Sequence, residues 1–487
     1  MSPSPNLEPT GNRMKLDTLI EVSPAETRVA LVDEEGVLHR LDVHRAGRPP
    51  LQGAILRGRV SRVEKSMKAA FLDLGALGEA LLPRAHDGRG RPLTEGQWMV
   101  VQVSRDAQGG KGPAVTARPV LQDRYLSFMP FGLPNDMRVD FDRGLGKGRD
   151  LARVKRMAEA FDPGESGGWL FRPAAAALTQ DRDMSVLTRC RDALLARWQA
   201  AQSANDGTAP KLLEEAPSYW EALVRDAPPT GRIATDDRLL HAKIKALAEE
   251  RYPDLLDGLV FHNDRETLFD ATAVEDQIEE ATTRRVPLTG GGELVIDETE
   301  AMVVIDVNLA DGALALQGGD AAVRLNVRAA EAAGRQIVLR NLAGLIVIDF
   351  VKMKQRSDGK RVIEALRRGL KGSGGPGGGM ADVLGMTAAG LVEVTRQRSG
   401  PSLTEQLLGP VPGDRPLSID SQACALLRRA IRQTGGGRPT VYGPKPLLDA
   451  IRTRFKEALA ETETRLGQPL DLVEREGRAA EIVMEKR

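Results

Sequence analysis

The chain has 487 residues, and its 68 Lys plus Arg balance 68 Asp plus Glu, giving a formal net charge of zero. That balance argues against indiscriminate polyanion binding but leaves room for a local basic channel. No apolar run approaches a membrane span, and the opening Met-Ser-Pro-Ser-Pro lacks the basic start and apolar core of a secretory signal, so a cytoplasmic protein is expected. The two cysteines, Cys190 and Cys424, stand far apart without a Cys-x-x-Cys spacing, the pattern of free thiols rather than a disulfide framework. Aromatic residues make up only 4%, few for a protein that stacks on bases.

Residues 1–13 are polar and proline-rich and are expected to form a disordered tail, unless Met14 is the true start. Residues 15–45 alternate as strands about a turn at Asp33-Glu34-Glu35-Gly36. Residues 50–122 form a β-rich block, with strands beginning at Ile55, Ala69 and Trp98; their length and spacing suit a small barrel. The pattern Gly58-Arg59-Val60, Phe71-Leu72-Asp73-Leu74-Gly75 and Val100-Val101-Gln102-Val103 resembles an S1-type OB fold, a module that binds single-stranded RNA. Residues 123–210 mix short strands with a long helix from about Met184 to Ser203. Residues 211–278 give a helix, a strand over Gly231–Thr235 and a helix from Asp237 to Arg251.

Residues 279–403 read as an α/β unit. It has a hairpin around Gly290-Gly291-Gly292, a strand into Asp306, a helix from about Asp320 to Val338, a strand into Asp349 and a helix over Asp358–Leu370. A glycine-rich loop follows from Gly372 to Gly379. Residues 404–415 read as a linker, and 416–487 as a small module of helix, strand, helix, strand.

The chemistry concentrates at two strand exits. Ala-Met-Val-Val-Ile precedes Asp306 and Gly-Leu-Ile-Val-Ile precedes Asp349. A carboxylate at the exit of a buried strand is held rigidly, and two on neighbouring strands would hold a hard cation such as Mg²⁺ and leave room for a phosphate. Asn308 follows Asp306 by two and so shares its face. Two solvated carboxylates capping strand ends are the plain alternative. Arg324, Arg328 and Arg335 share a helix face; Lys352, Lys354 and Arg356 alternate on an extended segment, as do Arg396 and Arg398. Each cluster alone reads as a solvated charged face; three of them near two acids favour a track for an RNA backbone.

Val304-Ile305-Asp306-Val307-Asn308, Gly318-Gly319-Asp320, Asn326 through Arg340, Gly344 through Phe350, and Thr395-Arg396-Gln397-Arg398 with Pro401-Ser402-Leu403 stand in an order that resembles the catalytic domain of the ribonuclease E/G family. The resemblance extends more thinly from Met14 onward. It implies a multidomain α/β (α+β overall) architecture. Residues 14–49 and 211–278 would form a discontinuous ribonuclease-H-like domain, with the S1/OB barrel (50–122) and a 5′-sensor-like domain (123–210) inserted. The 279–403 domain would resemble deoxyribonuclease I, and a small C-terminal α/β domain would follow. It also implies Mg²⁺ on Asp306 and Asp349 with Asn308 orienting the site. Phe71 and Lys111 of the barrel, Arg172 of the sensor pocket, and Arg396 and Arg398 would contact RNA. For Phe71, a place in the barrel core is the competing reading.

The departures from the family pattern are specific. Leu81 stands where a second barrel aromatic is expected, and Pro173 replaces a threonine beside Arg172. No arginine occurs within the glycine-rich loop, where one is expected to close the sensor pocket, so a damaged or absent 5′ sensor is expected. Lys352 stands where an acid is common, and the loop after Asn308 is longer and lacks the usual basic residues. After Pro401-Ser402-Leu403 there is no cysteine until Cys424, so the family's zinc link is expected to be absent, and a homodimer would not be zinc-bridged. The layout matches the family's shorter members. The expected function is Mg²⁺-dependent endonucleolytic hydrolysis of single-stranded RNA in rRNA maturation or mRNA turnover, leaving 5′-phosphate ends. An RNA-binding protein with little or no nuclease activity is the alternative, and a phosphodiesterase acting on DNA or small nucleotides is a weaker one.

Overall fold

Short β-branched and apolar runs separated by glycine turns give this chain most of its strands. The computed structural model describes residues 15–46, 50–107, 112–178, 183–309, 321–353, 355, 358–371, 381–397, 400–409, 416–433 and 437–485. The chain divides into two units, one made of Pro49–Arg232 with Ala242–Leu259, the other of Leu16–Arg48, Ile233–His241 and Val260–Arg487. Among the described residues, no helix is long and apolar enough to cross a membrane.

The first unit opens with a closed barrel. Ile55–Glu64 pairs with Ala69–Asp73 on one side and Trp98–Arg105 on the other; Glu79–Leu82 and Ala114–Thr116 complete the ring. Leu56, Val60, Leu72, Val101, Val103 and Val115 fill it. Next comes a four-stranded sheet in the order Val139–Phe141, Gly168–Phe171, Leu126–Met129, Leu121–Gln122. Phe128 and Trp169 stack on it with ring centroids 4.6 Å apart, and Phe161 meets Phe171 edge-on at 5.3 Å. Beneath it lies a buried ion pair. Arg124 clamps Asp254 through Nε (2.9 Å) and Nη2 (2.6 Å) and gives Nη1 to the Ala227 carbonyl at 2.9 Å. The Tyr125 hydroxyl donates to the same carboxylate.

The second unit contains three sheets. One runs Leu259–Phe261, Ile233–Thr235, Asp17–Val22, Glu26–Val32, Leu38–Arg45. The N-terminal hairpin is thus extended by a distant strand in parallel register, Thr18 opposite Ile233. The second sheet is formed by β1 (Arg285–Pro287), β2 (Glu293–Glu298), β3 (Val303–Asn308), β4 (Gly344–Asp349), β5 (Ala381–Met386) and β6 (Leu391–Arg396), in the order β1-β2-β3-β4-β6-β5. Only β3 and β4 are parallel in it; α1 (Ala321–Leu339) connects them, and α2 (Asp358–Lys371) follows. Both helices cover one sheet face, burying Ile305, Ile346, Ile348, Val392 and Val394. They approach closely because Gly334 and Gly369 face each other: a Cβ on Gly334 would lie 2.7 Å from the Gly369 backbone.

The third sheet orders Asp471–Glu474, Arg438–Gly443, Glu481–Glu485 against helices Ile419–Ala430, Lys445–Thr453 and Lys456–Leu466. The expected helix, strand, helix, strand undercounts this module by one helix and one strand. The break it misses is Thr453 to Lys456, where Phe455 turns inward and separates two helices that carry no glycine or proline between them. The architecture is mixed α/β with a closed five-stranded barrel.

Asp254→Asn leaves Arg124 charged and buried without its counterion. Removing one partner of such a pair costs about 3–5 kcal/mol, so chemical denaturation should show a large loss in stability of the first unit.

Candidate functional site

Alternation within β3 and β4 places the acids. Val303, Ile305 and Val307 of β3 turn into the core, and Val304, Asp306 and Asn308 turn to the opposite face. Ile346 and Ile348 of β4 are likewise buried, and Asp349 is exposed. The parallel register puts Asp306 directly opposite Asp349. Neighbouring strands lie about 4.8 Å apart, so the two carboxylates share one small region of the open face. Asn308 Nδ2 donates to Asp306 Oδ2 at 3.0 Å and fixes that carboxylate.

Flanking contacts hold both strand ends. Gly290, Gly291 and Gly292 all have positive φ, the left-handed region open to glycine. A Cβ on Gly292 would lie 2.9 Å from the Asn308 carbonyl oxygen, so this turn presses against the end of β3 only as glycine. Beyond β4, the fully buried Asn326 of α1 donates to the Val351 carbonyl at 2.7 Å and accepts from the Val351 N–H at 3.1 Å.

On the same face, two acids of β2 are matched by arginines, while Glu393 of β6 stands beside Val347. Arg284 bonds Asp297 at 2.6 Å and holds its carboxyl below the usual range, and Arg285 pairs with Glu293. Among the described residues, neither Asp306 nor Asp349 has a salt-bridge partner. The donor set is oxygen only, which suits a hard cation such as Mg²⁺ better than a soft one. No group of three or more His, Cys, Asp or Glu gathers among the described residues, so protein ligands would fill only part of a coordination shell. Mg²⁺ keeps waters and takes phosphate oxygens in that situation.

The basic residues are placed less simply. Arg396 falls on the inward side of β6, opposite Gly344, and is 5% exposed. Its Nη1 donates to Asn341 Oδ1 and to the Leu342 carbonyl, both at 2.8 Å. It braces the turn that enters β4. Burial, with Arg40 nearby, lowers the pKa of this guanidinium. Arg172 is 8% exposed and commits its guanidinium to Asp226 and the Asp123 carbonyl. Burial would raise the Asp226 pKa, but the bonds from Arg225 and the charge of Arg172 hold it low. An arginine so engaged does not present a free cation. Arg324, Arg335 and Lys352 are exposed, and Arg328 reaches the Gly290 carbonyl at 3.3 Å. Lys111, Arg398, Lys354, Arg356 and Asp320 lie outside the described residues.

Phe71 is half-buried on the outside of the barrel, since its neighbours Ala70 and Leu72 take the core positions. Its cross-strand partners are Arg62 and Leu81, and the Arg62 guanidinium sits 4.4 Å from the ring centroid. Cys190 and Cys424 are both buried, one in each unit. Where the resemblance puts a cysteine motif, a short helix over Leu403–Leu407 is closed by a capping box between Ser402 and Glu405, and Leu403, Leu407 and Leu408 pack beside Ile278 and Leu339. A helix here stands in place of the start of the expected linker.

Sequence reasoning missed three residues. Arg62 lies two positions beyond Val60 and carried no mark beyond its charge. Asn326 is a polar residue in an otherwise apolar helix face, and that mismatch was the available signal. Arg340 is buried, donates to Thr283 O at 2.8 Å and Gln336 Oε1 at 2.7 Å, and accepts from Leu403 N at 2.9 Å; burial lowers its pKa to about 10.

Similarity to known proteins bears on this site. The model of the ribonuclease E/G family matches residues 120–399. Ribonuclease G of Escherichia coli K12 is 30% identical over 93% of this chain and 96% of its own length. Ribonuclease G of Haemophilus influenzae is 30% identical over 86% of this chain and 87% of its own. Ribonuclease E of Escherichia coli K12 is 31% identical over 78% of this chain and 36% of its own.

Arg396→Ala removes the bonds to Asn341 Oδ1 and to the carbonyl of the buried Leu342. Urea unfolding should show a loss of about 1–3 kcal/mol.

Proposed function

This chain belongs to the ribonuclease E/G family, and on that premise we propose that it is an endoribonuclease cutting single-stranded RNA in RNA processing or decay. The in-register pair Asp306 and Asp349, with Asn308 bonded to Asp306, carries the reading. Their oxygens would hold Mg²⁺. When bound, it supplies positive charge against the scissile phosphate and the departing 3′ oxygen, consistent with 5′-phosphate products. Asn308 keeps one Asp306 oxygen oriented, and exposed Asp349 meets the incoming backbone. On the barrel, Phe71 offers a stacking face and Arg62 a cation behind it.

The same reading assigns the sheet built around Asp17–Val22 to a ribonuclease-H-like domain and the β1–β6 sheet to a deoxyribonuclease I-like domain. Residues 123–210 become a sensor-like domain. Its Arg172 is already engaged by Asp226, which supports a weak response to the RNA 5′ end. A homodimer would form without thiolate-bound zinc, since both cysteines are buried in separate units. The altered sensor pocket and the missing zinc-link cysteines support a second reading, an RNA-binding protein with little catalysis.

Incubation with a 5′-monophosphorylated A/U-rich oligoribonucleotide tests the two readings. Cleavage should require Mg²⁺, stop with EDTA, and fall by at least about 10³-fold in Asp306→Ala and Asp349→Asn, with RNA affinity and fold retained. Equal cleavage by variant and parent would sink the nuclease assignment, and binding without cleavage by the parent would select the second reading. Replacing the 5′ monophosphate by a 5′ hydroxyl should leave the parent's rate nearly unchanged; a steep loss would show a working sensor.

A further inference from the structure

We infer that Asn326 is a positioning residue for the cation site, acting on Asp349 through the backbone of Val351; this rests on the reading of Asp306 and Asp349 as the metal-holding pair. Asn326 is 0% exposed, and its buried neighbours on α1 include Val323, Leu325, Ala329, Ala330 and Ala333. A primary amide in such surroundings is costly unless both its donor and its acceptor are matched. Both are matched by the backbone of one residue: Nδ2 donates to the Val351 carbonyl at 2.7 Å and Oδ1 accepts from the Val351 N–H at 3.1 Å.

The location of that clamp gives it a consequence. Sheet pairing of β4 ends at Asp349, which is held by its register with Asp306 and Leu391. Past Asp349 the chain leaves the sheet, with Phe350 buried in the core and Lys352 exposed. Val351 stands two residues beyond the carboxylate, so fixing both of its polar groups fixes the direction in which the chain exits. Release of the clamp would let the segment swing about Asp349 and move its oxygens relative to those of Asp306. Mg²⁺ demands near-ideal octahedral geometry, so it is sensitive to such displacement.

Only asparagine supplies this pair of bonds at this reach. Serine is too short to span both groups. Aspartate keeps the acceptor and loses the donor to the Val351 carbonyl. Leucine keeps the volume and leaves both backbone groups unmatched.

The test uses the full chain and compares parent, Asn326→Ser and Val362→Ala. Val362 lies in the same core on α2, and its truncation destabilises the core while leaving the clamp intact. Mn²⁺ binding followed by electron paramagnetic resonance reads the site without relying on cleavage, and Asp349→Asn identifies the signal that belongs to it. Asn326→Ser should weaken Asp349-dependent Mn²⁺ binding at least about tenfold and raise the Mg²⁺ needed for half-maximal cleavage in parallel, while KM for RNA stays unchanged. Val362→Ala should lower the melting temperature without moving either metal constant. Asn326→Thr, neutral and nearer in volume, replaces Asn326→Ser if the latter does not fold.

Parental Mn²⁺ affinity in the Asn326 variant, or an equal shift in Val362→Ala, would overturn the inference and leave the nuclease reading intact. Asp349-dependent Mn²⁺ binding in a parent that does not cleave RNA would overturn the nuclease reading and leave the inference to be decided by the Asn326 variant. A parent without Asp349-dependent binding would overturn both.

Discussion

The parallel pairing of β3 with β4 is the constraint on which the site depends. Parallel neighbours cannot be joined by a tight turn and need a crossover, which α1 supplies after β3. Because side chains alternate with a period of two, a slip of one residue in either strand would turn its acid into the core and its apolar neighbours outward. The buried Ile305 and Ile348 resist that slip, and the pairing of Asp306 with Asp349 is the result. Small residues make the crossover possible. Ala329, Ala330, Ala332 and Ala333 let α1 lie close to the sheet, and Gly334 meets Gly369 where α2 packs against it.

Around that pair, polar residues inside the protein work on the backbone rather than on a ligand. Arg396 braces the entry to β4, and Asn326 holds its exit. Arg340 ties α1 to Thr283 and to the start of the helix at Leu403. That last tie places a self-contained capped helix where the resemblance puts a cysteine motif. A zinc link is one way to hold this segment; apolar packing of Leu403, Leu407 and Leu408 with a capping box is another.

Arginine use elsewhere follows the same rule. Arg28 meets Glu21 and Glu275, Arg428 meets Glu26, and Arg432 meets Asp236 at 2.8 Å. Arg124 and Arg172 do the same in the first unit. Buried pairs of this kind hold segments in fixed relation because losing one partner strands a charge away from water. A formal net charge of zero therefore conceals two populations of arginine, one committed inside and one exposed, as Arg324 and Arg335 are.

Local pattern in the sequence determined the strands that end in Asp306 and Asp349, the helices at Ala321–Leu339 and Asp358–Lys371, and the barrel strands. Their periodicity is a property of consecutive residues and needs no partner to be read. The outward turn of Asn308 beside Asp306 follows from the same alternation. Only the tertiary structure decided that Asp306 and Asp349 are exact register partners, that Phe71 faces outward beside Arg62, and that Arg172 and Arg396 are engaged rather than free. The reason is distance along the chain. Asp226 and Asn341 are remote in sequence from the arginines they hold, and a local pattern records a residue's charge but not the partner that folding brings to it.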